Sequence, residues 1–355
     1  MLISIMEGWV RFVLLLSIVV LFCSGLFAHP NMITKRLKIS IVDDFHPLFL
    51  ERLSQYFEVD YQPQINQANV IQIIKDSEIV AVRSKINFNE AVLSQLPKLK
   101  CIARGGAGMD NIDEEYSKSK GIALLNAPEG NRDAVAEHTM GLLLSLSNNI
   151  VKGHQEITNF QFNREDNRGW EIGGKTIGIF GFGNTGTSFA KRLQGFDCKI
   201  IAYDKFHDSN PFDFVKIVDF QEIINQSDVI SFHIPLTQFT SKLIDERLIN
   251  QCKHGVVMIN TSRGGIVNQA DVLSGINSGK IKQYGTDVLE NENLNEMSVK
   301  ERGELSALIS KNQVIVTPHV AGWTHESYFK IAEVLSQKII DFSIKIKKNH
   351  MNLEL

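Results

Sequence analysis

Residues 175–204 read KTIGIFGFGNTGTSFAKRLQGFDCKIIAYD, a stretch that alternates an apolar strand, a glycine-rich turn, a helix and a second apolar strand. We expect Gly181 to form the tight turn and Gly183 to let a pyrophosphate approach the backbone. Gly186 should then let the helix pack closely on the strand. The helix N-terminus would direct free N–H groups and its positive dipole end at the phosphates.

The second strand of this stretch ends at Asp204. A carboxylate at that position accepts hydrogen bonds from the adenosine ribose and repels a 2′-phosphate, which favours NAD over NADP. Lys205 beside it slightly weakens that preference. A GxGxxG motif alone is a weak signal, because many strand–turn–helix units carry glycines. The preceding strand, the following helix and the acid together predict an NAD-binding site.

The composition limits the classes of function. A chain of 355 residues can hold two domains with hydrophobic cores. The formal net charge of −3, without a basic block, gives no indication of a nucleic-acid partner or an anionic surface. The four cysteines are scattered, without CxxC or metal-ligand spacing, which is typical of reduced thiols in a cytosolic protein. We therefore expect no metal site and a cytoplasmic location.

The N-terminus is unusual because Phe12–Ala28 is an almost unbroken apolar run. It is short for a membrane span and about right for the core of a signal peptide, but the flanking charges and the cleavage site fit poorly. We favour a start of translation at Met32, which would make residues 1–31 an over-extended reading frame. The alternative is an export signal or membrane anchor.

From Lys38 onward, short β-branched apolar runs alternate with helical spacing, which predicts an α/β fold with parallel sheets. Predicted strands at the N-terminal side include 79–83 and 99–104, and residues 126–131 (NAPEGN) are predicted to form a loop. A long helix over 133–150 should leave one domain and enter the next. Strands at 228–235, 255–260, 283–288 and 314–317 indicate a doubly wound second sheet, and a helix over 324–346 should return to the first domain.

Three residues near predicted strand ends have the chemistry to assist the reduction of a carbonyl group. Arg263 could bind a carboxylate bidentately and polarise the neighbouring carbonyl oxygen. His319 could donate a proton to that oxygen, and Glu292 could orient the imidazole and favour its protonation. Each has an ordinary alternative: a surface salt bridge for the arginine, a structural role for the histidine, and a solvated loop position for the glutamate.

The motifs GFGNTG, FHIPLT, NTSRG, DVLENE and TPHVAG, in this order and with Asp204, resemble the D-isomer-specific 2-hydroxyacid dehydrogenase family. The resemblance covers nearly everything from Lys38 onward. It implies two Rossmann-like domains with doubly wound parallel sheets, in which the nucleotide domain is inserted in the substrate domain. The implied boundaries are 32–132 for the substrate domain, 133–318 for the NAD-binding domain and 319–355 for a returning C-terminal helix.

The resemblance also implies the roles of individual residues. Its catalytic arginine, glutamate and histidine match Arg263, Glu292 and His319, whereas Glu290 lies at the wrong spacing from Asp287. The implied cofactor-binding residues are Gly181, Gly183, Asn184, Thr185, Gly186, Asp204, His233, Pro235, Thr261 and Asp287. The implied substrate-binding residues are Arg83, Ser84, Gly106 and Gly108.

Within the family, ARGGAGMDNID and NAPEGNRDAVAEH look closest to 3-phosphoglycerate dehydrogenases, in a short form without a regulatory domain. Arg83, Arg104 and Arg132 could supply the cationic surface that a phosphate needs. We therefore predict oxidation of D-3-phosphoglycerate with NAD; the alternatives are a glyoxylate or hydroxypyruvate reductase and an NAD-sensing binding protein of the corepressor type. The family also implies a homodimer. Three residues depart from its usual pattern: Asn184, Asn293 and Trp323.

Overall fold

The computed structural model describes residues 36–206 and 212–351, and within them two parallel β-sheets flanked by helices. The first sheet has the strand order β2-β1-β3-β4-β5. Its strands are β1 (Lys38–Ile41), β2 (Glu58–Tyr61), β3 (Ile79–Val82), β4 (Cys101–Arg104) and β5 (Ala123–Asn126). The helices between them are α1 (Pro47–Ser54), α2 (Val70–Ile74), α3 (Glu90–Leu93) and α4 (Glu114–Ser119).

The second sheet has the strand order β12-β11-β10-β9-β6-β7-β8 and is also parallel throughout. Its strands are β6 (Thr176–Phe180), β7 (Lys199–Tyr203), β8 (Val215–Ile217), β9 (Val229–Phe232), β10 (Val256–Asn260), β11 (Ile281–Thr286) and β12 (Val314–Val316). The order of the strands reverses between β6 and β9, which is the position where α/β sheets bind ligands. The prediction of an α/β fold with two doubly wound parallel sheets is confirmed.

Helices cover both faces of the second sheet. They are α7 (Asn184–Leu193), α8 (Phe220–Gln226), α9 (Glu246–Gln251), α10 (Gln269–Asn277) and α11 (Val299–Ile309). The sequence fixes their ends locally: the Asp219 side chain accepts from the backbone of Glu222 at the start of α8, and Ser298 and Glu301 form a capping box at the start of α11. The central strands β9 and β10 are buried along their whole length, as expected for a sheet covered on both faces.

Three further helices join the two sheets: α5 (Pro128–Ser147), α6 (Ile150–Thr158) and α12 (His325–Met351). Helix α5 packs against α7 of the second sheet and against α12, and α12 packs against α1 of the first. The predicted boundary between residues 132 and 133 therefore lies inside a helix. This helix begins at Pro128, so the predicted loop over 126–131 is wrong. The N–H of the first helical residue has no partner within the helix, so a proline, which lacks this N–H, loses no hydrogen bond there. Its fixed φ also suits a helix start.

The predictions for residues 1–31 and for a start at Met32 lie outside the described residues. Throughout the part of the chain that the structure does describe, we find no helix with the length and apolar character needed to cross a membrane.

Candidate active site

A cleft of about 1020 Å³ opens at the carboxyl ends of both sheets. Most of the predicted site residues line it, although they come from distant parts of the chain. They are Arg83, Ser84, Gly106, Gly108, Asn184, Thr185, His233, Pro235, Thr261, Arg263, Asp287, Glu292 and His319. Gly181, Gly183, Gly186 and Asp204 do not line this cleft and lie around the start of α7 and the end of β7.

At one wall of the cleft, Nδ1 of His319 lies 2.8 Å from Oε2 of Glu292. Burial raises the pKa of Glu292, but the hydrogen bond and charge of His319 outweigh it, so the pKa is lowered overall. The ionised carboxylate can only accept, so Nδ1 carries the proton and donates it. Because both side chains are nearly half exposed, at 47% and 45%, Nε2 of the ring can reach a ligand in the cleft.

Arg263 follows β10 and is held by two oxygen atoms. Its Nε donates to Oδ2 of Asp110 at 2.7 Å, and its Nη1 donates to the backbone oxygen of Ser262 at 2.7 Å. Its Nη2 lies beside Gly108, where any side chain would overlap it. These contacts leave Nη2 as the nitrogen best placed to bind a carboxylate in the cleft.

The turn after β6 has the geometry expected of a pyrophosphate site. Gly181 has a φ of 97°, a conformation that side-chain-bearing residues rarely adopt, and a Cβ on Gly186 would overlap the backbone of Gly181. Beside Gly183, at the N-terminus of α7, no described atom apart from those of the glycine and its two chain neighbours lies within 4 Å of where a Cβ would stand. That open space allows a phosphate to approach the backbone, so the residues fit a dinucleotide.

Asp204 stands at the end of β7, where its Oδ2 accepts from the backbone N–H of Phe182 at 2.8 Å and its Oδ1 from that of Phe206 at 2.8 Å. These two hydrogen bonds hold the carboxylate beside the glycine-rich turn. A carboxylate oxygen has a second lone-pair direction, so these bonds are compatible with ribose hydroxyls as additional donors.

His233 is the second histidine in the cleft, and it is unsuited to proton transfer. Burial lowers its pKa to about 3, so it is neutral at physiological pH. Its Nε2 bonds the Ser231 hydroxyl at 2.8 Å, whereas its buried Nδ1 has no hydrogen-bond partner among the described residues. An unpartnered polar atom at the cofactor side of the cleft again fits a polar ligand there.

The other predicted cofactor residues surround these groups. Oγ1 of Thr261 lies 3.0 Å from Oγ1 of Thr139 on α5. The Asn184 side chain accepts a hydrogen bond of 3.4 Å from Arg132, which lies on the exposed side of α5 and does not line the cleft. The spacing in the sequence argues against Glu290 as the catalytic acid, and the structure agrees. Glu290 is engaged elsewhere: it forms a salt bridge with Lys242 and accepts a hydrogen bond from the backbone N–H of Gln269.

The first sheet contributes two arginines to the cleft. The guanidinium of Arg83 lies over the ring of Trp323 at 4.1 Å, which makes Trp323 a wall of the cleft. Arg104 lies over Gly106, and its buried Nε has no hydrogen-bond partner among the described residues. Burial and then the positive charge of Arg263 lower the pKa of Arg104; a guanidinium nevertheless stays charged at neutral pH.

Sequence reasoning missed Asp110 and His138. Asp110 belongs to the GAGMDNID segment, in which only the glycines and the preceding arginine drew attention. Its partner Arg263 is 153 positions away, so only the fold brings the two together. His138 ends the NAPEGNRDAVAEH segment and bonds Thr317 next to the active-site loop.

Comparisons with known proteins identify the family of this chain. A family model described as D-isomer specific 2-hydroxyacid dehydrogenase, NAD binding domain, matches residues 140–321. The chain is 34% identical over 290 residues to a hydroxypyruvate reductase of Thermotoga maritima, covering 82% of this chain and 90% of that protein. It is 31% identical over 299 residues to a D-3-phosphoglycerate dehydrogenase of Archaeoglobus fulgidus, covering 83% of this chain but only 55% of that protein.

Among solved structures, the chain is similar to D-lactate dehydrogenase from Aquifex aeolicus, which was solved in complex with NAD and lactic acid. The TM-score is 0.77 at 27% identity, and the match covers 87% of this chain and 96% of the other. The resemblance seen in the sequence motifs is therefore confirmed. The chain belongs to the D-isomer-specific 2-hydroxyacid dehydrogenase family and is an NAD-dependent oxidoreductase that acts on a CH–OH group.

Proposed function

We propose that this cleft interconverts a D-2-hydroxy acid and its 2-oxo acid, with Arg263, Glu292 and His319 as its catalytic residues. The observation that carries this proposal is the hydrogen-bonded pair of His319 and Glu292, 2.8 Å apart at the wall of the cleft that Arg263 also lines. Bound NAD would supply the hydride acceptor for oxidation at C2, and bound NADH would supply the hydride for the reduction.

The proton moves through His319. In the oxidation, Nε2 takes the proton of the C2 hydroxyl, and in the reduction it returns that proton to the carbonyl oxygen. Glu292 holds Nδ1, which fixes the direction of the ring and stabilises the imidazolium. Arg263 binds the substrate carboxylate through Nη2 and polarises the oxygen at C2.

The proposed cofactor site comprises the turn from Gly181 to Gly186 for the pyrophosphate and Asp204 for the adenosine ribose. The residues assigned to its nicotinamide end are His233, Pro235 and Thr261; Asp287 lines the same end of the cleft, but its carboxylate is occupied by hydrogen bonds from Val320 and Ala321. Support comes from the open space beside Gly183 and from the unpartnered Nδ1 of His233. Neutral His233 can accept or donate a hydrogen bond without competing for the proton that His319 transfers.

We propose D-3-phosphoglycerate as the substrate. The support is a second guanidinium in the cleft: Arg104 is largely buried, carries an unpartnered Nε and lies over Gly106. Together with Arg83, it gives the substrate side of the cleft more positive charge than one carboxylate needs. A phosphate at C3 would bind there through charge-assisted hydrogen bonds.

Hydroxypyruvate reduction is the second candidate. It is favoured by the relative from Thermotoga maritima, because the match covers 90% of that protein. D-3-phosphoglycerate and D-glycerate, the reduced form of hydroxypyruvate, differ only in the phosphate. The ratio of their kcat/KM values with NAD therefore separates the two proposals, and a ratio near one would refute a phosphate subsite.

An Arg104→Met variant tests the assignment within the cleft. Losing a hydrogen bond to a charged group costs about 1.5–3 kcal/mol, so kcat/KM for D-3-phosphoglycerate should fall roughly 10- to 150-fold. The value for D-glycerate should change less than threefold. Arg247→Met, at an arginine that is 90% exposed on α9 and does not line the cleft, is the matched control and should leave both values unchanged.

We also propose a homodimer. Helix α6 and the segment that follows it expose several large apolar side chains: Ile150, Ile157, Phe160 and Phe162. Such a cluster is more typical of a subunit interface than of a surface in contact with water. The proposed compartment is the cytosol, supported by the free thiols of Cys101, Cys198 and Cys252.

A further inference from the structure

Three side chains next to the active site form a hydrogen-bonded chain that the proposed reaction does not use. His138 on α5 lies with Nε2 at 2.9 Å from Oγ1 of Thr317, and Oγ1 of Thr317 lies 2.5 Å from Oδ1 of Asp287. The same Nε2 is also 3.6 Å from Oδ1 of Asp287. A carboxylate can only accept, so the single proton of the threonine hydroxyl goes to Asp287. The hydroxyl must then accept from His138, which fixes a proton on Nε2 of that ring.

Asp287 uses the same carboxylate to hold the loop that carries His319. Its Oδ1 accepts from the backbone N–H of Val320 at 3.0 Å, and its Oδ2 accepts from that of Ala321 at 2.7 Å. Its backbone oxygen accepts from the N–H of His319 itself at 2.8 Å. The Asp287 side chain is only 1% exposed, so the competing bonds that water would offer in an open loop are largely excluded.

The backbone conformation of His319 explains why the loop needs these hydrogen bonds. Its φ is 55°, in the left-handed region that residues with a side chain seldom adopt. A residue keeps this conformation only where its surroundings impose it, and such residues concentrate at active sites. Here the three hydrogen bonds that Asp287 accepts from the backbone N–H groups of residues 319–321 impose it, and the imidazole is thereby directed at Glu292.

We propose that His138 is a positioning residue for the reaction. Through Thr317 it fixes the carboxylate of Asp287, and through Asp287 it fixes the left-handed backbone that presents His319 to Glu292 and the substrate. Helix α5 also packs against α7 and α12, so His138 connects the proton-transfer loop to a helix shared by the two halves of the molecule. The inference rests on the proposed role of His319 in proton transfer.

The test compares variants that keep or remove the donor on residue 138. His138→Gln retains an N–H that can reach Thr317, whereas His138→Phe keeps a ring of similar shape without any donor. We expect His138→Phe to lower kcat roughly tenfold or more, as when a buried hydrogen bond is left unmade. The dissociation constant for NADH, measured by fluorescence, should stay within twofold, and the glutamine variant should recover most of the activity.

A purely structural histidine would give a different result. The thermal midpoint would fall, kcat and NADH binding would decline together, and glutamine would be no better than phenylalanine; that outcome would overturn the proposal. So would a His138→Phe enzyme with wild-type kcat. His254→Phe, at an exposed histidine far from the cleft, is the matched control.

A second pair of variants keeps the test decisive if His138→Phe fails to fold. Thr317→Val should lower kcat while Thr317→Ser should not, and the loss in His138→Phe combined with Thr317→Val should be smaller than the sum of the two single losses, because both variants act on the carboxylate of Asp287. Fully additive losses would refute the chain. Wild-type turnover of 2-oxo acids and its loss in His319→Ala test the proposed function separately, so failure of either proposal is recognisable.

Discussion

Two substitutions of Asp110 separate the charge of this residue from its geometric effect on Arg263. In the wild type, Nε of Arg263 lies 2.7 Å from Oδ2 of Asp110. Asp110→Asn removes the negative charge but keeps a carbonyl oxygen that can accept this hydrogen bond. Asp110→Ala removes both. In the proposed role of Arg263, the wild-type carboxylate would compete with the substrate for the positive charge of the guanidinium, which it also holds in place.

The size of each effect follows from simple electrostatics. A substrate carboxylate on Nη2 would stand on the order of 7 Å from Asp110; with an effective dielectric constant of about 40–80 for this partly exposed site, their repulsion is about 0.6–1.2 kcal/mol. Asp110→Asn should therefore bind a carboxylate roughly three- to eightfold more tightly. Asp110→Ala also loses a charge-assisted hydrogen bond, discounted for exposure to about 1–2 kcal/mol, so its kcat should fall roughly 5- to 30-fold.

The assay uses oxamate, a non-reactive analogue of a 2-oxo acid, titrated into the complex of the protein with NADH while NADH fluorescence is followed. Steady-state kcat is measured in parallel, with Asp76→Asn, at a remote surface ion pair with Lys98, as the control. Weaker oxamate binding in Asp110→Asn would show that the carboxylate does not compete for Arg263. An Asp110→Ala enzyme with wild-type kcat would show that Asp110 does not orient the guanidinium of Arg263.

Three further predictions concern single residues. Gly108→Ala places a Cβ on Nη2 of Arg263 and should raise KM for the 2-oxo acid at least tenfold; an unchanged KM would mean that the guanidinium binds elsewhere. The lowered pKa of Glu292 means that its pairing stabilises the fold fully above about pH 4.3. The stability advantage of the wild type over Glu292→Gln, from thermal unfolding, should therefore disappear as pH falls below that value; an advantage independent of pH would contradict the pairing. Phe162, 84% exposed, should lie in the dimer interface, so Phe162→Asp should sediment as a monomer if the wild type is a dimer.

The elements that the sequence predicted best are those whose signal is local. The strand–turn–helix–strand unit over 175–204 has the predicted strand ends, at Phe180 and Tyr203, because apolar runs and glycines define it without help from elsewhere. Strand β5 was missed because Ala123–Asn126 (ALLN) contains no β-branched or aromatic residue, the types that favour strands. The start of α5 was missed because Asn126, Pro128 and Gly130 favour a turn in isolation, and only packing against α12 decides for a helix.

The site was predictable where its residues belong to recognisable motifs, and not where it depends on contacts across the fold. The motifs placed Arg263, Glu292 and His319 at strand ends, and the structure brings all three to one cleft. No sequence pattern indicates that Asp110 pairs with Arg263, because an acidic residue in a loop is usually solvated. The left-handed φ of His319 is likewise invisible in the sequence, since glycine, the residue that normally signals it, is absent.

Two carboxylates five positions apart divide the work of this site according to their burial. Asp287 is almost wholly inaccessible, and Thr317, Val320 and Ala321 all donate to its carboxylate, so its charge is committed to holding the loop. Glu292 is nearly half exposed and forms its hydrogen bond with the ring of His319, so its charge is available to the imidazole in the proposed proton transfer. A site with the two environments exchanged would fail at both tasks. An exposed Asp287 would lose its loop contacts to water, and a fully buried Glu292 would tend to take up a proton and stop stabilising the imidazolium. The burial of each carboxylate, more than its identity as an acid, therefore determines its role.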